Sequence, residues 1–170
     1  DVVELTLAQG AWMAVLAGKA AGFDEGRALC EGAIRSGRAL ELFLENVRLQ
    51  GGDAAKLLAD RGKRRSPHRA ELRAERSGFV AGIDAYAIGL AGVHLGVGRN
   101  RTDEAVCPEA GMTLHRKKGE AIREGDLLIE LYGKDEASLG PALELARGAV
   151  RYADDRPADA PLILKEITAL

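Results

Sequence analysis

Between residues 4 and 21 the apolar positions Leu5, Leu7, Ala8, Ala11, Trp12, Val15 and Leu16 recur at helical spacing with small residues between them, which predicts one buried helix. Gly22-Phe23-Asp24 offers a turn and an N-cap, because an Asp carboxylate can accept from the free N–H groups that open a helix. Residues 25 to 36 then carry Ala28, Leu29, Ala33 and Ile34 on one face, and a third stretch from 38 to 49 repeats the pattern with Leu40, Phe43, Leu44 and Val47. Gln50-Gly51-Gly52-Asp53 stops it, and the helical period lapses from there. Asp60-Arg61-Gly62-Lys63-Arg64-Arg65-Ser66-Pro67-His68-Arg69 is polar, basic and broken by Gly and Pro, which marks a domain boundary.

Past that boundary the period changes. Residues 70 to 76 and 78 to 83 alternate like strands on either side of Ser77-Gly78, so a hairpin or bent ribbon is expected. Asp84 is placed to cap a helix through Ile88, Leu90, Ala91, Val93 and Leu95, and Gly96-Val97-Gly98-Arg99-Asn100-Arg101 ends it. Two more strands, 111 to 116 and 126 to 132, flank the turns Lys117-Lys118-Gly119-Glu120 and Arg123-Glu124-Gly125. A helix from 136 to 153 and a strand from 162 to 167 complete the reading. The expected organisation is a helical segment over 1–53, a basic linker over 54–69 and an α+β domain over 70–170, so the fold class is α+β.

Composition narrows the function classes. A hydrophobic share of 46% with only 4% aromatic residues calls for a core built mainly from Leu, Ile, Val and Ala. The formal net charge of -2 gives no global attraction to nucleic acid or to an anionic membrane, and neither is expected as a partner. The basic run around Arg64 lacks interleaved aromatic residues that could stack on bases, and reads as a solvated connector. No apolar run approaches the roughly 20 residues that span a bilayer, and no signal peptide is evident, so a cytoplasmic setting is expected. Cys30 and Cys107 show no metal-ligand spacing and read as reduced, structural thiols. Asp1 leads directly into an amphipathic stretch, which reads as a start cut from a longer chain.

Candidate chemistry is sparse. An anion cradle usually opens a helix, where backbone N–H groups and the helix dipole meet the charge. The glycine-bounded loop from Gly96 to Arg101 follows its helix instead, so the dipole has the wrong sign. Gly96 reads as a helix C-cap there, with Arg99 and Arg101 able to meet a phosphate or a neighbouring domain. His68 falls in the linker, His94 within a small-residue helix and His115 beside a Lys-Lys turn, each without a second His or a carboxylate at ligand spacing. Surface or packing roles follow for all three. No catalytic, substrate-binding or metal-binding residue is assigned.

Two segments resemble the pyrimidine-nucleoside phosphorylase (thymidine phosphorylase) family, in its C-terminal portion. Glu31-Gly-Ala-Ile-Arg-Ser-Gly-Arg-Ala-Leu-Glu-Leu-Phe43, continuing to Gln50-Gly-Gly-Asp53, is similar to the family's A-I-x-S-G-x-A … F … Q-G-G-D. The second runs from Ser77-Gly-Phe-Val-Ala81 through Ile88-Gly-Leu-Ala91, Leu95-Gly-Val-Gly-Arg99 and Gly111-Met-Thr-Leu-His-Arg-Lys-Lys-Gly119 to Glu124-Gly-Asp-Leu-Leu128. Where the family has G-A-G-R-x-x-K-E-D-x-I-D, this chain reads Gly96-Val-Gly-Arg-Asn-Arg-Thr-Asp-Glu-Ala-Val-Cys107, a departure that leaves substrate preference open.

The resemblance implies that residues 1–53 are the tail of the family's phosphate-binding α/β domain and that 70–170 are its C-terminal domain, with a barrel-sandwich hybrid element. It implies a parent enzyme that converts a pyrimidine nucleoside and phosphate to free base and pentose 1-phosphate, with phosphate as co-substrate and potassium as a further ligand. The residues that hold them lie in segments before this chain, so the chain binds no cofactor and is inactive alone. The implied partners are the N-terminal part of the same enzyme and a second copy in a homodimer. One rival is a non-catalytic interaction module that retains the fold. Another is a biotinyl or lipoyl carrier domain, which would need a hairpin lysine inside M-K-M or D-K-A; neither tripeptide surrounds Lys117 or Lys118.

Overall fold

The computed structural model describes residues 1–99 and 101–167, so Asn100 of the glycine-bounded loop lies outside the described residues. The chain divides into two compact units, one formed by residues 1–61 together with the segment from Ala160 onward, the other by residues 62–159.

In the first unit, α1 (Val2–Leu16) starts at Asp1, whose side chain accepts from the Val2 N–H, and buries Leu7, Ala8 and Ala11. It ends well before the expected residue 21, because Ala17 leads into Gly18 at φ 64°, a conformation that leaves the helix. α2 (Phe23–Arg35) is capped by Gly22 rather than by Asp24, which sits inside the first turn where its charge favours the helix dipole. α3 (Arg38–Leu49) occupies the expected residues. Where the helical pattern lapses, the chain makes one more short helix, α4 (Ala54–Ala59), because the Asp53 carboxylate accepts from the Lys56 N–H at 2.9 Å. Small residues let α1 and α2 approach closely: a Cβ on Gly10 would meet the Cys30 sulfur at 2.8 Å. Arg27 clamps the pair with its two terminal guanidinium nitrogens on Glu4, at 2.7 and 2.8 Å.

The second unit mixes helix with antiparallel sheet, an α+β arrangement. Its elements are β1 (Arg69–Arg73), β2 (Gly78–Ile83), α5 (Ala85–Leu95), β3 (Gly111–Leu114), β4 (Ala121–Ile122), β5 (Leu127–Tyr132), a single 3-10 turn at Glu136–Ser138, α6 (Leu139–Ala149) and β6 (Val150–Ala153). Two three-stranded sheets result, in the orders β1-β5-β3 and β4-β2-β6. β1 and β2 therefore form no hairpin: β1 pairs with β5, setting Leu72 opposite Ile129, while β2 pairs with β6, setting Val80 opposite Tyr152. The helix expected over 136–153 gives up its last four residues to β6, which supplies β2 with a partner along its edge. No strand forms over 162–167.

Leu72, Val80, Leu95, Leu128, Ile129 and Leu131 make the centre of one core, closed by Ala91 of α5 and by Ala142 and Ala146 of α6. Alanine at these helix positions lets the backbones approach the sheets, so the core fills without aromatic bulk. Among the described residues no helix is long and apolar enough to cross a membrane.

Candidate functional site

The helix α5 and its exit match what the sequence predicts. Asp84 accepts from the Ala87 N–H at 3.0 Å, and Gly96 closes the helix in the left-handed region at φ 100°. The loop that follows folds back on this cap, with the Cys107 N–H donating to the Gly96 carbonyl at 2.8 Å. Lys134 lies along the same glycine, its N–H donating to the Leu95 carbonyl at 2.8 Å. The carbonyl end of α5 is thus occupied by the chain itself. Arg101 turns to Asp103 at 3.0 Å, which neutralises one of the two loop cations.

The basic connector is exposed from Arg61 to Arg65, and its end is anchored at one residue. Ser66 is buried, donating its hydroxyl to the Gly133 carbonyl at 2.5 Å and accepting from the His68 N–H at 3.2 Å. Its own N–H donates to the Glu109 carbonyl at 3.0 Å, and Arg64 pairs with the Glu109 carboxylate at 2.7 Å. That guanidinium holds the Glu109 carboxyl below the usual carboxylate range. Arg65 donates to the Tyr132 hydroxyl at 2.6 Å while its guanidinium carbon stands 5.0 Å from the ring centre, a cation–π arrangement.

Next to Tyr132, one face of the β1-β5-β3 sheet carries a compact ionic cluster. Register sets Glu71 and Thr113 on either side of Glu130. Two acids directly opposite each other repel, and an imidazole and three guanidinium groups meet them: His115 Nε2 lies 2.8 Å from Glu130, Arg65 and Arg69 approach that carboxylate at 3.9 and 4.0 Å, and Arg73 pairs with Glu71 at 2.6 Å. The His115 hydrogen bond, followed by the Tyr132 hydroxyl and the charges of His115 and Arg65, holds the Glu130 carboxyl below its ordinary range despite a side chain only 13% exposed. The sequence gives His115 no carboxylate at ligand spacing; the fold brings one from fifteen residues away. Glu130 had a visible signal, an acid inside the apolar run Leu127-Leu-Ile-Glu-Leu-Tyr132, since a charge in a half-buried strand needs a partner.

The other singled-out residues stay apart. His94 is exposed in the last turn of α5, and His68 faces Glu136 at 3.4 Å. Cys30 and Cys107 are free thiols. Lys117 and Lys118 sit in a turn tied to β2 by the Gly119 N–H donating to the Val80 carbonyl at 2.8 Å. Among the described residues no three His, Cys, Asp or Glu side chains gather as a metal site would require. The ionic cluster is an arrangement for holding strands and the connector in register, with every charge facing an opposite one.

Comparison with known families bears on this unit directly. Residues 79–153, from β2 to the end of β6, match the model described as "Pyrimidine nucleoside phosphorylase C-terminal domain". This chain carries the C-terminal domain of the pyrimidine-nucleoside phosphorylases. The pyrimidine-nucleoside phosphorylases of Geobacillus stearothermophilus and Staphylococcus haemolyticus (strain JCSC1435) are each 34% identical to it over 136 residues, covering 80% of this chain and 31% of theirs. That of Staphylococcus aureus (strain USA300) is 35% identical over 132 residues, covering 78% of this chain and 30% of its own. The chain thus spans about a third of the length of these curated relatives. The phosphorylase C-terminal domain includes His115, Glu130 and Tyr132, whereas Arg65 and Ser66 precede the matched residues.

Proposed function

We propose that this chain is the C-terminal part of an enzyme that cleaves a pyrimidine nucleoside with phosphate, releasing the free base and a pentose 1-phosphate. The observation that carries this reading is the 34% identity to pyrimidine-nucleoside phosphorylases over 136 residues, more than the 62–159 unit contains. In such a reaction a phosphate oxygen bonds to the anomeric carbon as the bond from that carbon to the base nitrogen breaks. Catalysis then needs an anion cradle, groups that read the base, and stabilisation of positive charge on the sugar and negative charge on the departing base.

Those groups, and a bound potassium ion, are assigned to the remainder of the parent enzyme. The present residues supply structure: 1–53 as the end of the α/β domain that holds phosphate, 54–69 as the connector, and 70–170 as a C-terminal domain with a barrel-sandwich element. Its partners are the rest of the same polypeptide and a second copy in a homodimer, in the cytoplasm. The self-paired ionic cluster supports a structural role, because its carboxylates are met by side chains of the same unit.

The test is thymidine- and uridine-dependent release of base in phosphate buffer, by the 170-residue chain and by a chain carrying the remaining segments. Activity confined to the longer chain is expected. Turnover by the 170 residues alone would place the active site within them, and silence from both would favour an interaction module without catalysis.

A further inference from the structure

The first unit contains a cleft of about 600 Å³ whose one wall is α1 and whose other wall is the chain's own segment beyond Ala160. Leu5, Trp12 and Leu16 line the helix side; Leu162, Ile163 and Ile167 line the other. The helix face is strongly apolar, and the segment opposite it reads Pro161-Leu-Ile-Leu-Lys-Glu-Ile167, so both walls are complementary in chemistry. Their union is nonetheless loose. Residues 160–167 adopt no helix or strand, and they make no hydrogen bond or ion pair among the described residues. Leu162 and Ile163 remain 45% and 38% exposed, and Leu164 and Ile167 85% and 87%.

A segment held by partly exposed apolar side chains, with no backbone bond among the described residues, belongs to the parts of a fold that open without global unfolding. α1 itself is secured separately, through Ala11 against α2 and through Glu4 to Arg27. Lifting the segment would therefore expose the groove and leave the helix standing. We propose that residues 160–167 are a detachable strap, an intramolecular occupant of the α1 groove that covers part of this apolar surface while seated, the Trp12 side included, leaves Leu16 86% exposed, and uncovers the rest when released. This reading does not rest on the proposed phosphorolysis.

Trp12 makes the strap observable, since it is the one tryptophan of the chain and lies in the groove, its ring centre 5.4 Å from that of Phe23. The test uses the whole 170-residue chain with the double substitution Leu162→Asp and Ile163→Asp, which places charge on the strap's seated side. Expected are a shift of Trp12 emission to longer wavelength, stronger quenching by acrylamide, and unchanged helical circular dichroism. In the unsubstituted chain, amide exchange at 162–167 should be at least about tenfold faster than in the middle of α1. A peptide of residues 160–170, added to the substituted chain, should reverse the emission shift saturably, while a scrambled peptide should not.

Unchanged Trp12 emission and quenching in the substituted chain would overturn the proposal, since the strap would not be covering the groove. Loss of helical signal would overturn it too, by showing the segment to be integral to the core. A Trp12 signal in the unsubstituted chain that depends on protein concentration would assign the occupant to a second copy and overturn the intramolecular reading.

Discussion

Gly26 of α2 lies so close to α1 that a Cβ at its position would stand 2.5 Å from the Ala11 carbonyl oxygen. Backbone against backbone leaves nothing flexible to move aside. Gly26→Ala should therefore cost the helical unit about 1–3 kcal/mol through overpacking, despite the better helix propensity of alanine. Chemical denaturation followed at 222 nm checks this; a stabilised variant would mean that the two helices are free to separate.

At Gly96 two effects combine. Its φ of 100° disfavours any residue with a Cβ, and an added Cβ would meet the Lys134 side chain at 3.1 Å. Gly96→Ala is expected to lower stability by about 1–2 kcal/mol from the backbone conformation alone. Adding Lys134→Ala should recover only the crowding, so a double-mutant cycle read by thermal unfolding separates the two contributions.

Removing the Ser66 hydroxyl leaves the Gly133 carbonyl and the His68 N–H without their shared partner. Ser66→Ala should cost about 1–3 kcal/mol and free the connector. Trypsin gives a direct readout: cleavage after Arg64 and Arg65 should accelerate in the variant, and equal rates would show that the connector is held by other contacts.

The Glu130 carboxyl titrates below its unfolded value, so its contribution to stability is fully present above the ordinary glutamate pKa of about 4.3 and is lost as pH falls through the lower folded value. His115→Ala removes the largest cause of that depression. The carboxyl should then titrate higher, and acid unfolding should begin at higher pH. A carbon-detected titration of Glu130 that is identical in both proteins would show that Tyr132 and Arg65 suffice.

What could be read from sequence follows the range of each signal. Asp84 and Gly96 fixed α5 because capping acts within one turn, and Gly78–Ile83 was legible from alternation alone. Strand pairing is non-local: nothing near Arg69–Arg73 says that it bonds to β5 rather than to β2. The same blindness turned Val150–Ala153 into helix, since only the open edge of β2 makes it a strand. It also hid the cluster, whose members Arg65, His115 and Glu130 are gathered from separate parts of the chain. The partners of Arg64 and Arg65 in the exposed connector, Glu109 and Glu130, were hidden likewise, because they lie far along the sequence.

The 62–159 unit closes on one uninterrupted stretch of chain, whereas the helical unit draws on both sides of it. During synthesis, all of 62–159 must be made after α1 to α4 before Leu162 and Ile163 can reach the groove beside Trp12. The α+β unit can thus finish folding while its predecessor in the sequence is still open. The α1 side of the groove waits longest for its strap, and chaperone capture there should be strongest in that interval.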